Sequence, residues 1–363
     1  MTTYLLAGGG TAGHVNPLLA VADRLRENEP DATILVLGTK EGLEARLVPE
    51  RGYELLTIAK LPFPRRPGRA LLRFPAALRR EVGLVRRLIH DRSVDVVVGF
   101  GGYASAPAYL AARAEHIPLV VHEANAKPGF ANRLGARFTS HIGVVFANTP
   151  LKNATVVGMP TRAEIERLDR SAARREAYRL FGLDSALPVL LVTGGSTGAR
   201  SLNRTVSSTV PLLLGAGWQV LHIAGERSEI SDASLPGYVL LRYCDRMELA
   251  IAVADLAVSR AGSATVSEFT AVGVPAVYVP YPVGNGEQRF NAVDVVAAGG
   301  GQLVADADFT PAWVTDHLVP LLQDRAAIAE MAARAATVGV TDGTDRMVAL
   351  IGRALRNPVK SDQ

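Results

Sequence analysis

The chain contains a single cysteine, Cys244, which excludes an intramolecular disulfide and any cysteine-rich metal site. A reducing cytoplasm fits that scarcity. No apolar run approaches the roughly 20 residues needed to span a bilayer. No signal peptide is expected either. Tyr4 to Ala7 is a short apolar strand that runs straight into glycines, and no basic region precedes it. There is no internal sequence repeat, and no His or Cys cluster has metal-ligand spacing.

What is present is a chain of 363 residues, 48% hydrophobic and 20% charged, too long for one comfortable core. These proportions describe a soluble globular protein of two ordinary domains and exclude wholesale disorder. The net charge is only +4, but it is unevenly spread. Lys60 to Arg92 holds ten Lys/Arg against two acidic residues, Glu81 and Asp91. Such a stretch asks for an anionic neighbour.

Short runs rich in Val, Ile and Leu alternate with longer amphipathic segments. The first series of strands is Tyr4–Ala7, Thr33–Leu37, Asp95–Val98, Leu119–His122, Ile142–Phe146 and Thr155–Val157. The second is Val189–Thr193, Val220–Ala224, Val239–Arg242, Leu256–Ser259, Ala276–Val279 and Gln302–Val304. Runs without polar alternation suit strands buried on both faces of a parallel sheet. Two such series predict two doubly wound α/β domains, residues 1–159 and 160–343, with the turn at Gly158-Met159-Pro160 between them. Ala163 to Gly182 reads as one charged amphipathic helix. The terminal segment 344–363, helical in pattern from Thr344 to Leu355, is expected to pack back on the first domain.

Each domain opens with a strand, a glycine-rich turn and a helix: Gly8-Gly9-Gly10-Thr11-Ala12-Gly13-His14 in the first, Gly194-Gly195-Ser196-Thr197-Gly198-Ala199-Arg200 in the second. Glycines let the backbone turn tightly and approach a ligand, and the N–H groups of the following helix then face an anion. A third loop, Gly99-Phe100-Gly101-Gly102-Tyr103, follows another strand. Gly8, Gly10 and Gly13 match a dinucleotide fingerprint. The acidic residue that should end the second strand is missing, however, since Gly38-Thr39-Lys40 stands there. A nicotinamide oxidoreductase is disfavoured for that reason, and three glycine loops at strand ends favour a ligand cleft.

In order along the chain stand GGGTAGHVNP from Gly8, GFGGY from Gly99, HEANAKPG from His122, VGMPTR from Val157, GGSTGAR from Gly194, RAGSATVSE from Arg260 and EQRFNA from Glu287. From Tyr4 to the C-terminal helix, the sequence resembles the MurG family of peptidoglycan glycosyltransferases. The resemblance implies a GT-B fold, two Rossmann-like domains facing a central cleft. It also implies transfer of N-acetylglucosamine from UDP-N-acetylglucosamine to undecaprenyl-pyrophosphoryl-N-acetylmuramyl pentapeptide, lipid I. No cofactor, metal or nucleic acid would be needed. The implied partners are an anionic inner-membrane surface at its cytoplasmic face and proteins of cell-wall synthesis and division.

Carried over by position, the backbone of Cys244 would meet the uracil and Glu268 the ribose hydroxyls, a carboxylate recognising a vicinal diol. Ser196 and the turn Ser263-Ala264-Thr265 would sit on the diphosphate, with charge added by Arg162. Gln288 and Asn291 would read the sugar hydroxyls. Asn125 and the loop residues Thr11, Ala12 and Gly13 would contribute from the first domain. The sequence departs from the family pattern at Met159, Ala261 and Glu287, and the last bears on donor-sugar choice.

Inverting transfer is one displacement at the anomeric carbon, with a base for the acceptor proton and positive potential for the departing UDP. His14 suits the base because an imidazole can be neutral near pH 7. Glu123 is the rival, with loop-holding as its alternative role. Asp306-Ala307-Asp308 spells a cation-binding D-x-D, but it falls in a late turn and reads as solvated carboxylates. Leu61, Phe63, Leu71, Leu72, Phe74, Leu78, Val82 and Leu84, interleaved with arginines, suit either a lipid surface or a core-facing helix. Other open functions are a UDP-sugar transferase acting on diacylglycerol or a small aglycone, a UDP-N-acetylglucosamine 2-epimerase and a non-catalytic nucleotide-sugar binder.

Overall fold

The apolar runs form two all-parallel sheets. In the computed structural model, residues 1–63, 68–195, 198–231, 233–283 and 286–356 are described, with backbone alone at 69–71. The first sheet comprises β1 (Thr3–Ala7), β2 (Thr33–Gly38), β3 (Glu54–Thr57), β4 (Val96–Gly99), β5 (Leu119–Glu123), β6 (Ile142–Val144) and β7 (Ala154–Val156), in the order β3-β2-β1-β4-β5-β6-β7. The second comprises β8 (Val189–Thr193), β9 (Gln219–Ile223), β10 (Tyr238–Leu241), β11 (Leu256–Ser259), β12 (Ala276–Tyr278) and β13 (Gly301–Leu303), in the order β10-β9-β8-β11-β12-β13. Both orders reverse beside their first strand, which is the doubly wound pattern.

Those reversal points place the loops. At β1–β4 the register pairs Ala7 with Gly99, so the loops beginning at Gly8 and at Phe100 leave neighbouring strand ends. At β8–β11 it pairs Thr193 with Ser259, bringing the Gly194 and Arg260 loops side by side. Ligands of open α/β sheets bind beyond the carboxyl ends of strands at such a switch.

The chain divides into two compact units, Met1–Arg162 with Asp342 onward, and Ala163–Thr341. In the first unit successive β1 residues serve opposite faces. Tyr4 and Leu6 join a core with Val15, Leu18 and Val98, whereas Leu5 and Ala7 join one with Val97, Ala108 and Val121. Burying each large aliphatic side chain contributes about 1.5–3 kcal/mol. The terminal helix Gly343–Arg356 adds Met347, Leu350 and Ile351 to the Tyr4 face, and Thr344 Oγ1 donates to the Thr161 carbonyl at 3.3 Å. In the second unit one core gathers Leu190, Val192, Leu202, Trp218 and Val258, with Trp218 Nε1 donating to the Leu322 carbonyl at 2.8 Å.

Two elements differ from the sequence expectation. Strand β3 was not expected at all. It is a half-exposed edge strand of sequence ELLT, paired only to β2, so its short mixed run carries no buried-strand pattern. The single helix expected over 163–182 is two helices, Ala163–Glu166 and Arg170–Phe181. Asp169 restarts the chain as an N-cap, accepting the Ala172 N–H at 3.1 Å, and Gly182 at φ +66° ends it.

Candidate active site

In the first unit the turn after β1 is drawn tight by Gly9 and Gly10, the latter at φ +90°. Helix Ala12–Asn28 follows with Thr11 extended at its N-cap and no side-chain cap bond, so the first-turn N–H groups at Ala12 and Gly13 are open to an anion. The neighbouring glycine loop touches this one backbone to backbone. A Cβ on Gly102 would lie 2.3 Å from the Gly9 carbonyl oxygen, so only glycine fits. Ser105 fastens the two, with Oγ 3.0 Å from the Ala7 carbonyl and accepting the Gly101 N–H at 3.0 Å.

His14 stands on the first turn of that helix. Its Nδ1 lies 3.2 Å from the Gly9 carbonyl oxygen and 3.3 Å from Thr11 Oγ1. A carbonyl only accepts, so Nδ1 carries the proton and Nε2 keeps its lone pair. That lone-pair nitrogen faces Gly101, whose added Cβ would come within 3.0 Å of it. Burial pushes the imidazole below its ordinary range, and nearby Glu123, the Gly9 hydrogen bond and Glu44 pull the other way. The net direction is downward, which favours the neutral imidazole, and Nε2 has no hydrogen-bond partner among the described residues.

Glu123 ends β5 and is 2% exposed. It accepts N–H groups of Asn125 and Gly129, each at 2.9 Å, and Asn132 Nδ2 at 2.9 Å, while Asn125 Nδ2 lies at 3.5 Å. Asn132 in turn donates to the His122 carbonyl at 2.9 Å and accepts from Tyr109 Oη at 2.6 Å. The carboxylate is therefore the hub of the 123–132 loop. Arg162, half-buried, is the last residue of the first unit before the chain crosses to the second.

Ser196, expected on the diphosphate, lies outside the described residues, together with Thr197. Around it, Gly195 and Gly198 have φ +84° and +79°, and helix Arg200–Gly215 starts at an extended Ala199 without a side-chain cap. Helix Ser263–Val272 starts the same way after Gly262. Ser263 is buried, whereas Ala264, Thr265 and Glu268 are half-exposed, at helical spacings that set them on one face. Cys244 is half-buried in the loop after β10, next to exposed Tyr243. Gln288 Oε1 accepts the Tyr281 N–H at 2.9 Å, and Asn291, 1% exposed, donates to the Ala261 carbonyl at 3.2 Å. Asn291 therefore ties helix Glu287–Asn291 to the Arg260 loop.

Four residues have organising roles that the sequence reading did not assign. Glu44, 1% exposed, accepts the Gly10 N–H at 2.8 Å, the Thr39 N–H at 2.9 Å and Thr39 Oγ1 at 2.8 Å. Asn132 is the second. Arg260, 8% exposed, donates to the Val279 and Pro280 carbonyls at 2.9 and 3.3 Å and to Ser201 Oγ at 2.9 Å, and it pairs with Asp306. Ser201 Oγ also donates to Asp306 at 2.6 Å. Asp306, the fourth, is thus no solvated turn carboxylate but the counter-charge of a buried arginine; Asp308 is exposed. The sequence marks Asp306 only as part of a D-x-D and Arg260 only as the start of a motif, and these roles depend on partners that folding brings together.

Two parallel-sheet Rossmann-like units with glycine loops at both switch points define the GT-B fold, and the family matches make this chain a glycosyltransferase. Residues 4–144 match the glycosyltransferase family 28 N-terminal domain, and residues 189–347 its C-terminal domain. The chain is 65% identical, over 98% of its length and 99% of the relative's, to the UDP-N-acetylglucosamine–N-acetylmuramyl-(pentapeptide) pyrophosphoryl-undecaprenol N-acetylglucosamine transferase of Leifsonia xyli subsp. xyli. It is similar to the crystal structure of Acinetobacter baumannii MurG, with TM-score 0.79, 27% identity and coverage of 97% of this chain and 100% of that one. A UDP-GlcNAc 2-epimerase from Neisseria meningitidis shares the fold at TM-score 0.68 and 14% identity, covering 97% of this chain and all of that one. The chain belongs to glycosyltransferase family 28 and, within it, to the MurG family of these N-acetylglucosamine transferases.

Proposed function

We infer that this chain transfers N-acetylglucosamine from UDP-N-acetylglucosamine to the 4-hydroxyl of N-acetylmuramic acid in the undecaprenyl-pyrophosphoryl pentapeptide, with inversion. The observation that carries this is the full-length 65% identity to a transferase of that name, joined to a neutral, glycine-flanked His14. His14 Nε2 takes the proton of the acceptor hydroxyl as its oxygen attacks the anomeric carbon. The bond from that carbon to the diphosphate oxygen breaks, and UDP leaves with the electron pair. The second unit holds the donor. The uncapped starts of helices Arg200–Gly215 and Ser263–Val272 present N–H groups to the diphosphate, and the family resemblance assigns Ser196 and Arg162 to the same group. Glu268 receives the ribose hydroxyls, the Cys244 backbone receives the uracil, and the Gln288 amide nitrogen reads the sugar. Asn291 serves by anchoring its helix, and Asn125 is delivered from the Glu123-centred loop.

We also infer peripheral docking on an anionic, cytoplasmic membrane face. Phe63, Leu72 and Phe130 are 57%, 82% and 77% exposed, and Phe63 stacks on Phe130 at 5.9 Å beside a basic helix, Arg69–Asp91. The later part of that helix faces the core instead, through Val85 and Ile89, with Val82 and Leu84 packed alongside. Among the described residues no helix is long and apolar enough to cross a membrane.

The test is transfer from labelled UDP-N-acetylglucosamine to a lipid I analogue, with diacylglycerol and a small aglycone in parallel. Disaccharide-lipid formation is expected, falling roughly 10²–10⁴-fold in His14→Ala at little-changed donor KM. Epimerised donor without transfer, or transfer only to the other acceptors, would overturn the assignment. Near-wild-type turnover of His14→Ala would remove His14 as base.

A further inference from the structure

Beside the histidine loop lies a buried carboxylate for which the mechanism has given no use. Glu44 opens helix Glu44–Glu50 beside the ends of β1 and β2, and glycines pack closely around its side chain. A Cβ on Gly9, Gly38 or Gly42 would lie 2.3, 2.5 or 2.0 Å from Glu44 side-chain atoms, so glycine lines the carboxylate on three sides. Oε1 is taken by Thr39, through its N–H and hydroxyl, and Oε2 by the Gly10 N–H.

The Gly10 N–H and the Gly9 carbonyl belong to one peptide group. In a trans peptide such as this one, these two dipole ends point in opposite directions. One end donates to Glu44 Oε2 at 2.8 Å; the other lies 3.2 Å from His14 Nδ1. The result is a chain of carboxylate, peptide group and imidazole in which each hydrogen bond polarises the next. An anion on the N–H side makes the carbonyl oxygen a stronger acceptor. It thereby favours the Nδ1–H tautomer and leaves the lone pair on Nε2, the nitrogen that faces Gly101.

We propose that Glu44 is a positioning residue for the transfer reaction, holding and polarising the Gly9–Gly10 peptide group so that it orients His14 as the base. A base oriented by a third group is a general device of proton-transfer sites, and here a peptide unit stands between the carboxylate and the ring. The inference rests on His14 being the base. The charged and titratable groups facing His14 are Glu44, Glu123 at the end of β5, and His122, which precedes it. Glu44 and Glu123 favour the imidazolium. Removing the Glu44 charge therefore moves the protonation of His14 to lower pH.

The experiment compares kcat, donor KM and the pH profile of kcat/KM for the full chain, Glu44→Gln and His14→Ala, with thermal unfolding as a check of folding. Wild type is expected to lose activity on an acid limb that His14→Ala abolishes. Glu44→Gln should keep the limb but shift it to lower pH, with kcat reduced at least about tenfold and donor KM changed less than about threefold. A residue that only supported the fold would lower activity without moving the limb. If Glu44→Gln does not fold, the wild-type chain still decides, through nitrogen-15 NMR of its histidines. His14 should show Nδ1 protonated and Nε2 bare. An Nε2–H tautomer, or a limb unmoved in folded Glu44→Gln, overturns the role of Glu44 and leaves His14 as base intact. A wild-type profile without an acid limb takes both down.

Discussion

Substituting Glu123 by alanine separates two roles that share one carboxylate. If Glu123 is the hub of its loop, its removal strands three donors that now approach at 2.9 Å: the N–H groups of Asn125 and Gly129 and the Nδ2 of buried Asn132. A donor left without a partner away from water costs about 1–3 kcal/mol. Asn125 is half-exposed and Gly129 exposed, so water can reach part of the loop, whereas Asn132 is 2% exposed. The sum falls near 3–5 kcal/mol, a large share of the roughly 5–15 kcal/mol that holds a domain folded. For a unit of this size each kcal/mol moves the midpoint by roughly 2–4 °C, so a loss on the order of 10 °C is expected in the transition of the first unit. Differential scanning calorimetry of Glu123→Ala against wild type measures it, with the transition of the second unit as internal reference. An unchanged first transition together with lost turnover would refute the hub argument and return Glu123 to candidacy as base.

Acid should destabilise both units through buried neutral histidines. Burial pushes His122 and His222 down to about 4. The unfolded chain binds protons near the ordinary value of 6.5, so below that pH it holds more protons than the folded chain. Stability is therefore full above about pH 6.5, is lost as pH falls toward 4, and levels off below. Each histidine accounts for roughly 3 kcal/mol. Urea midpoints that stay flat from pH 7 to 4 would contradict this. Membrane docking should show as vesicle binding that rises with anionic lipid, by about 1 kcal/mol per engaged Lys or Arg, and that weakens when Phe63, Leu72 and Phe130 are changed together to serine. Binding indifferent to lipid charge would oppose it.

Much of the fold was legible because buried parallel strands write themselves as unbroken apolar runs. Leu256–Ser259 and Val189–Thr193 appear with the bounds expected for them. β3 was not legible, since an exposed edge strand is held by pairing to β2 rather than by its own composition. The break before Arg170 turned on one side chain, Asp169, choosing to cap a helix rather than lie within one.

For the site, the sequence determined by itself where glycine had to stand, and so where a ligand can approach the backbone. Positive φ and close contact are properties of the residue type. It also determined the ordered motifs that carry the family. Which side chains act on those loops was decided only in three dimensions. Glu44 is 34 residues from Gly10, and Asp306 lies 46 from Arg260. Nothing local shows either as the partner of a buried group, and the D-x-D at Asp306 pointed to a solvated turn instead. Likewise Glu123 and His14 were rivals as letters, each able to take a proton. Tertiary structure surrounds the carboxylate with donors and gives His14 Nε2 no hydrogen-bond partner among the described residues, because hydrogen-bond saturation depends on neighbours that only folding assembles.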